Sequence, residues 1–552
     1  MRGVLVTRAA ISYDARMLAE RDGSESAVTR EANAGDGGVN LALPAVARAE
    51  LLVTVFATGA AVMLIEILGT RIIGPVFGIS LFVWSALLAV TLGSLSIGYY
   101  VGGVLVDRAP SLRLLGFVVA AAGVLLGFVP MLSRAVLSAA DGLGPRAGPL
   151  VGATLLFAPS LVALGMVGPI VVRVATKDLR AAGHGVGAVY AVSTAGSLLG
   201  TLVTAFLLIP AFETDRILLG TAVCLTLIGA ISLARRWRRS ALVAVLAPVL
   251  ASAAPESPLP PGIQVVDRSR SLYGLIEVID DTNRGVRLLR ADHSILGAQW
   301  LRDRTAAFAF IHLLESVRFL RPAAHEILQI GLGAGSLPSI LRARGINVEV
   351  VEIDPAVVRF ARTYFGFSTE GEVHVEDART YLRRTARRYD VIVHDTFTGG
   401  TTPEHLLSVE VIRRIRELLR PGGVLVLNFV GYHEPPNAEA SWAVARTLRA
   451  VFAAVRSFRD SGPNDHAETP GNLVFFASDG GLDFTVPANA QFENEACEHV
   501  SRSFQNWEVL RGVPDGAIIT DERNPLASLQ LAVAEAHFEA MNKFLPSEVW
   551  LR

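Results

Sequence analysis

Six long apolar runs in succession constrain this chain more than any other feature. They lie near residues 51–69, 81–106, 114–132, 149–172, 186–209 and 217–234. Roughly 20 helical residues cross ~30 Å of hydrocarbon, and each run is of that order. Six such helices in one soluble core are improbable, so an N-terminal multi-span α-helical membrane domain is expected over 49–254. A further apolar stretch, 240–254, is thin for a span and reads as a re-entrant or interfacial segment. The composition agrees: hydrophobic residues make up 51%, charged residues 18%, and the mean hydropathy is +0.44. The excess sits in 51–254, whereas 262–552 has the makeup of an ordinary soluble domain.

Basic residues in short loops set orientation. Arg108 and Arg113 follow the second run, Arg173, Lys177 and Arg180 the fourth, and Arg235, Arg236, Arg238 and Arg239 the sixth. If the runs alternate, all of these share one side. The expectation is a multi-pass protein of the cell membrane with that side, the polar tail 1–48 and the soluble half in the cytoplasm. The tail reads as disordered. Glu66 and Arg71, five apart at the end of the first run, read as an interfacial pair. The stretch Gly98–Arg108 loosely resembles the loop after the second helix of facilitator-type transporters, though small residues there equally permit close helix packing. The formal net charge of −1 points to no nucleic-acid partner. Cys224 and Cys497 suit neither a disulfide framework nor a zinc site, and no metal is expected.

Residues 255–262 form a Pro-rich linker, since repeated prolines cannot continue a helix. Residues 263–320 read as a small β-rich part, with strands at Tyr273–Asp280 and Arg287–Arg290 and an amphipathic helix over 304–320. Residues 321–552 carry the main signal. Ile327–Ile330 is a buried-type strand, Gly331, Gly333 and Gly335 a tight loop, Ser336–Arg344 a helix, and Val348–Glu352 a strand ending in an acid 21 residues beyond Gly331. That order is the nucleotide-binding crossover. Further units end in Asp377 and in Asp395, so three acids close three strands, where ligands of such sheets bind. Each acid has a bland alternative as a helix N-cap. His312 reads as a packed or surface histidine, and His394 and His405 lack metal-like spacing.

Here the sequence resembles the spermidine synthases, or polyamine aminopropyltransferases, in their bacterial membrane-fused form. The resemblance rests on Ile327–Gly335, Val351–Asp354, Glu376–Ala378, Tyr389–Asp395, Pro421–Gly423 and Gly471–Ser478. It implies a Rossmann-like, S-adenosylmethionine-type α/β domain behind the small β-sheet. It also implies aminopropyl transfer from decarboxylated S-adenosylmethionine, a co-substrate, to a diamine such as putrescine, with methylthioadenosine released, no prosthetic group, and possible homo-oligomers on a lipid membrane. Gly331, Gly333 and Gly335 would cradle the donor, Glu352 hold its ribose, and Asp377 with Ala378 its adenine. Asp395 would be the catalytic acid residue that deprotonates the attacking amine.

The departures fall on one half of that site. The acid that the family carries inside the glycine loop is Ala334 here, a second acid after the catalytic one is Thr398, and the family's Tyr-Gln pair is Tyr273-Gly274. The adenosine half is intact and the amine half is altered. A methyltransferase using intact S-adenosylmethionine, and a transporter or sensor with a nucleoside-binding domain, are the competing readings.

Overall fold

The structure, a computed structural model, describes residues 45–78, 81–108, 110–175, 182–233, 259–368, 371–460, 469–485, 492, 496–506 and 508–550. The expected disorder of the tail falls almost wholly, and the 240–254 segment wholly, outside these residues.

The N-terminal half is helical: α1 (Ala45–Phe77), α2 (Leu81–Arg108), α3 (Leu112–Gly127), α4 (Val129–Asp141), α5 (Gly144–Ala175), α6 (Ala182–Val203, running on through a π-type turn to Ala211) and α7 (Thr214–Leu233). Five helices are long and apolar enough to cross a membrane, or six if α3 and α4 count together. The run expected to be continuous over 114–132 is instead bent by 57° between α3 and α4. Pro130 stands in the first turn of α4 and can neither donate an N–H nor tolerate the carbonyl four residues back. α1 packs on α6, α2 on α5, and α3 on α7. Glycines bring the backbones together: a Cβ at Gly98 would strike the Val162 carbonyl, and one at Gly196 the Phe56 carbonyl. Gly98 is thus a packing residue inside α2, and the loop suggested by transporters is a helix.

Two contacts fix which helix ends share a face. Ser232 near the end of α7 bonds Glu50 near the start of α1, and Arg173 near the end of α5 lies 3.6 Å from Asp107 near the end of α2. This is the face of the basic loops. The soluble half touches the opposite face. Arg71 of α1 donates to the carbonyls of Ser271 and Leu272 at 2.8 and 3.0 Å. Arg270 donates to Thr214 Oγ1 at the start of α7, at 2.9 Å. Asn542 donates to Asp141 at 3.1 Å, Arg146 pairs with Glu535 at 2.5 Å, and Phe538 stacks on Phe77 with ring centroids 5.8 Å apart. Phe538 is buried in the helical core, and a side chain of its size so buried contributes about 1.5–3 kcal/mol. The soluble half thus meets the helix ends opposite those of Glu50, Asp107 and Arg173. Glu66 and Arg71 do not pair: Arg71 is drawn instead to carbonyls 200 residues on.

The soluble half begins with a four-stranded antiparallel sheet, β1 (Ile263–Arg270), β2 (Leu275–Asp281), β3 (Val286–Ala291) and β4 (Ser294–Trp300), in sequential order. Only the middle two were expected. Charges hide the period of β1: its Arg268 is paired at 2.6 Å with Glu277 of β2, which is fully buried and also paired, at 2.5 Å, with the fully buried Arg290 of β3. The helix expected over 304–320 is shorter, split into α8 (Phe310–Glu315) and α9 (Val317–Leu320), because Ala306 is bridged to Gln299 and extends the sheet. His312 is buried beside Glu315, 3.2 Å away.

The main sheet has eight strands in the order β12-β10-β11-β9-β8-β5-β6-β7. Its parallel part holds β5 (Glu326–Ile330), β6 (Asn347–Glu352), β7 (Val373–Val375), β8 (Tyr389–His394) and β9 (Leu419–Gly431). Between them run α10 (Ser336–Arg342), α11 (Pro355–Tyr364), α12 (Ala378–Arg384) and α13 (Val409–Leu418). The expected Pro421–Gly423 turn is a bulge within β9, where pairing with β8 jumps from Leu419 to Val424. After α14 (Glu439–Arg449), β10 (Ala454–Arg459) and β11 (Gly471–Ser478) return antiparallel, followed by α15 (Ala496–Asn506) and β12 (Glu508–Val509). α16 (Leu526–Leu529), α17 (Leu531–Phe544) and α18 (Ser547–Trp550) close the described chain. α17 lies between the helical bundle and the site.

Candidate active site

A cavity of about 740 Å³ opens at the carboxyl ends of β5, β6 and β8, and residues of both halves line it, Arg71 and Trp84 of the bundle included. The glycine loop forms its floor. Gly331, Gly333 and Gly335 have φ of +89°, +55° and +75°, a region that side chains resist. A Cβ at Gly331 would strike the Asp395 carbonyl, and one at Gly333 would lie 2.6 Å from the Leu296 carbonyl.

The three strand-end acids are brought together around this cavity. Glu352 accepts N–H bonds from Leu332 and Asp354, one on each carboxylate oxygen and both 2.9 Å. Burial pushes its pKa up while those two bonds pull it back. Each oxygen keeps a further lone pair for a ligand hydroxyl. Asp377 does act as an N-cap, accepting from Thr380 N–H at 2.9 Å. Burial would raise its pKa, but the Thr380 bonds and His405, 3.4 Å away, outweigh this and hold it below the usual carboxylate range. Ala378 is buried beside it. Asp395 caps no helix. Its pKa is pushed up to about 6 by burial, against one opposing bond from Asn428 Nδ2 at 2.9 Å.

Asn428, on β9, is fully buried, and its carbonyl oxygen has no partner among the described residues. Sequence reading passed over it; the usable signal is an amide in an otherwise apolar strand beside the strand of Asp395. Three other residues in or beside the cavity were also missed. Ser271 Oγ donates to Asp354 at 2.6 Å. His537 of α17 lies under Gly400, and its Nε2 has no partner among the described residues. Arg71 comes from the bundle.

The altered half has a structural cause at each position. Ala334 is 3% exposed and packs on Gly297, where a Cβ would come within 2.6 Å. Gly274 has φ +146°, and a Cβ there would collide with the Asp292 carboxylate. Thr398 is bonded to Thr401 both ways, at 2.7 and 3.1 Å, in a tight turn through Gly399 and Gly400. Gln530 pins that turn through Thr402 at 3.1 and 3.3 Å.

One group of possible metal ligands occurs among the described residues, Glu349, Glu372 and His374. Arg387 bonds both acids, and the Tyr381 and Tyr389 hydroxyls bond Glu349, so both carboxylates already have partners within the protein.

The family model described as the spermine/spermidine synthase domain matches residues 312–457. Glu352, Asp377 and Asp395 all lie within the matched residues. An N-terminal histidine N-methyltransferase of Emericella nidulans is 30% identical over 328 residues, covering 52% of this chain and 58% of the relative. A polyamine aminopropyltransferase of Vibrio vulnificus is 34% identical over 165 residues, covering 29% and 54%. The chain thus spans little more than half the length of these curated relatives. Among solved structures, a probable spermidine synthase from Corynebacterium glutamicum aligns with a TM-score of 0.37 and 20% identity, over 50% of this chain and 95% of that one.

Proposed function

We propose that the soluble half is a transferase that binds an adenosyl sulfonium donor and moves the methyl group of intact S-adenosylmethionine to an acceptor nitrogen. The observation that carries this is the missing acid of the glycine loop. That loop presents buried Ala334 in its place, and two guanidiniums, Arg71 and Arg270, line the cavity beside six carboxyl groups, Asp292, Glu352, Asp354, Glu376, Asp377 and Asp395. Intact S-adenosylmethionine carries a carboxylate, which guanidiniums favour; the decarboxylated donor is a bare ammonium that needs an anion. Glu352 would take the ribose hydroxyls and Asp377 with Ala378 the adenine, over the backbone of Gly331, Gly333 and Gly335. Asp395, ionised at neutral pH with its pKa near 6, would accept the acceptor's proton as the new N–C bond forms and the S–C electron pair returns to sulfur. Asn428 would hold that carboxylate in place. The methylation named for the Emericella relative is in keeping with this reading.

Aminopropyl transfer from decarboxylated S-adenosylmethionine to a diamine is the second reading. Retention of Asp395 and the polyamine relative favour it. Calorimetric titration of the full chain with S-adenosylmethionine, its decarboxylated form and methylthioadenosine separates the two. Tighter binding of the intact donor, reversed by Ala334→Asp, is expected. Tighter binding of the decarboxylated donor to the unaltered chain would overturn the methyl reading.

The helical half is proposed to cross a membrane, with domains near 49–254, 263–320 and 321–552 joined by the linker 255–262. Docking on the face away from the basic loops, taken with the preference of those loops for the cytoplasm, supports a soluble half on the extracytoplasmic side. With Cys224 and Cys497 replaced, a cysteine at exposed Glu417 should react with a membrane-impermeant maleimide on intact cells. Labelling only after lysis would refute this orientation.

A further inference from the structure

We infer that the membrane bundle completes the donor site, with Arg71 as the positioning residue that holds the loop 271–274 across the ribose acid. The inference rests on the adenosyl reading of the cavity.

The contacts form a continuous line. Arg71 lies in the last two turns of α1 and reaches out of the bundle. Its two terminal nitrogens donate to the Ser271 and Leu272 carbonyls at 2.8 and 3.0 Å. Ser271 turns its hydroxyl the other way and donates to Asp354 Oδ2 at 2.6 Å, while Ser271 Oγ itself accepts from Tyr273 N–H at 3.0 Å. The Asp354 N–H in turn bonds Glu352 Oε1 at 2.9 Å. A side chain of the bundle is thus three residues from the carboxylate that would hold the donor's ribose.

The loop is closed on itself by the Ser271 N–H to the Gly274 carbonyl at 2.9 Å, but its tip is not packed. Tyr273 and Leu272 are exposed, at 45% and 62%, so their own burial adds little order. Gly274 at φ +146° allows close approach to Asp292, and Gly confers freedom rather than stiffness. The neighbouring strand end is tied to the bundle as well, through Arg270 to Thr214 at 2.9 Å. Tyr273 lines the cavity near Glu352, Asp354 and Asp377, whose negative charge, after burial, raises its hydroxyl pKa. Its placement over the donor therefore depends on two tethers, Ser271 to Asp354 within the soluble half and Arg71 to the Ser271 and Leu272 carbonyls from the membrane half. Charged hydrogen bonds to carbonyls are among the stronger neutral-partner contacts, and the Arg71 tether has two.

The test uses the full chain in lipid nanodiscs and calorimetry with methylthioadenosine, which lacks a carboxylate and so reports the adenosine half alone. Arg71→Ala should weaken binding about tenfold, the worth of one such hydrogen bond, and Arg71→Lys should restore part of the loss. Glu66→Ala, more than a turn away on the same helix, should bind as the unaltered chain does. Ser271→Ala, which leaves the bundle contact and cuts the link to Asp354, should also weaken binding, and serves if Arg71→Ala fails to fold. Binding by either folded variant within twofold of the unaltered chain overturns the inference. Failure of the unaltered chain to bind methylthioadenosine would sink the adenosyl reading itself, a distinguishable result.

Discussion

Replacing Glu352 by glutamine tests the donor site at its centre. Each carboxylate oxygen of Glu352 accepts one backbone N–H at 2.9 Å, from Leu332 and Asp354, and has a lone pair left for one ribose hydroxyl. Glutamine keeps one carbonyl oxygen and turns an NH2 group toward one of those N–H groups, so one backbone bond becomes a donor facing a donor. Hydrogen bonds to a charged group are worth about 1.5–3 kcal/mol each. Loss of one ribose bond and weakening of the other then costs about 2–4 kcal/mol, or about 30–1,000-fold in Kd. Calorimetry with methylthioadenosine reads this directly, and near-unchanged thermal melting would show that the glycine loop survives. An affinity within fivefold of the unaltered chain would mean that the ribose is held elsewhere, and the assignment of Glu352 would fall.

Three further outcomes follow from the geometry. Asn428→Leu removes the donor on Asp395, so the carboxyl pKa should rise above its value of about 6; activity, which needs the ionised form, should then fail at higher pH, with the acid limb of kcat/KM moved up by about one unit or more. Asp395→Asn should raise the melting temperature at pH 7. The folded pKa lies above the unfolded one, so the charged form opposes folding above about pH 6, and the gain should vanish below about pH 4; a gain that persists at pH 3 would refute this cause. Gly98→Leu forces side-chain atoms into the Val162 carbonyl and should destabilise the bundle by about 1–3 kcal/mol, read as a lower melting temperature in detergent.

Much of this architecture was legible because it follows from local pattern. The apolar runs gave the bundle helices, and strand, glycine loop, helix, strand and acid gave the crossover with Glu352 at its end. Asp377 and Asp395 followed from the same logic at neighbouring strands. What escaped depends on contacts distant in sequence. β1 was hidden because Asp267, Arg268 and Arg270 interrupt its apolar alternation, Arg268 being paired with buried Glu277 of β2, and β4 because Gly297 and Gln299 break its pattern. Asn428 matters through a partner 33 residues away, His537 through the glycine turn it underlies, and Arg71 through a loop 200 residues on. The bend at Phe128 was readable from Pro130. The docking face was not, because basic loops indicate a side of the membrane and carry no information about which helix ends meet a folded domain.

The glycine contacts of the bundle govern height as well as closeness. Where Gly59 meets the Ser193 carbonyl and Gly196 meets the Phe56 carbonyl, α1 and α6 interlock backbone to backbone, and sliding by one residue would drive a side chain into that slot. Arg71 stands twelve residues beyond Gly59, roughly 18 Å along the axis at 1.5 Å per residue. The slot thus works as a mortise that sets how far the guanidinium protrudes. A substitution there that shortens its reach by a single ångström would uncouple it from Ser271, and the fault would surface as poor ligand affinity in a half of the molecule that still carries every residue it started with.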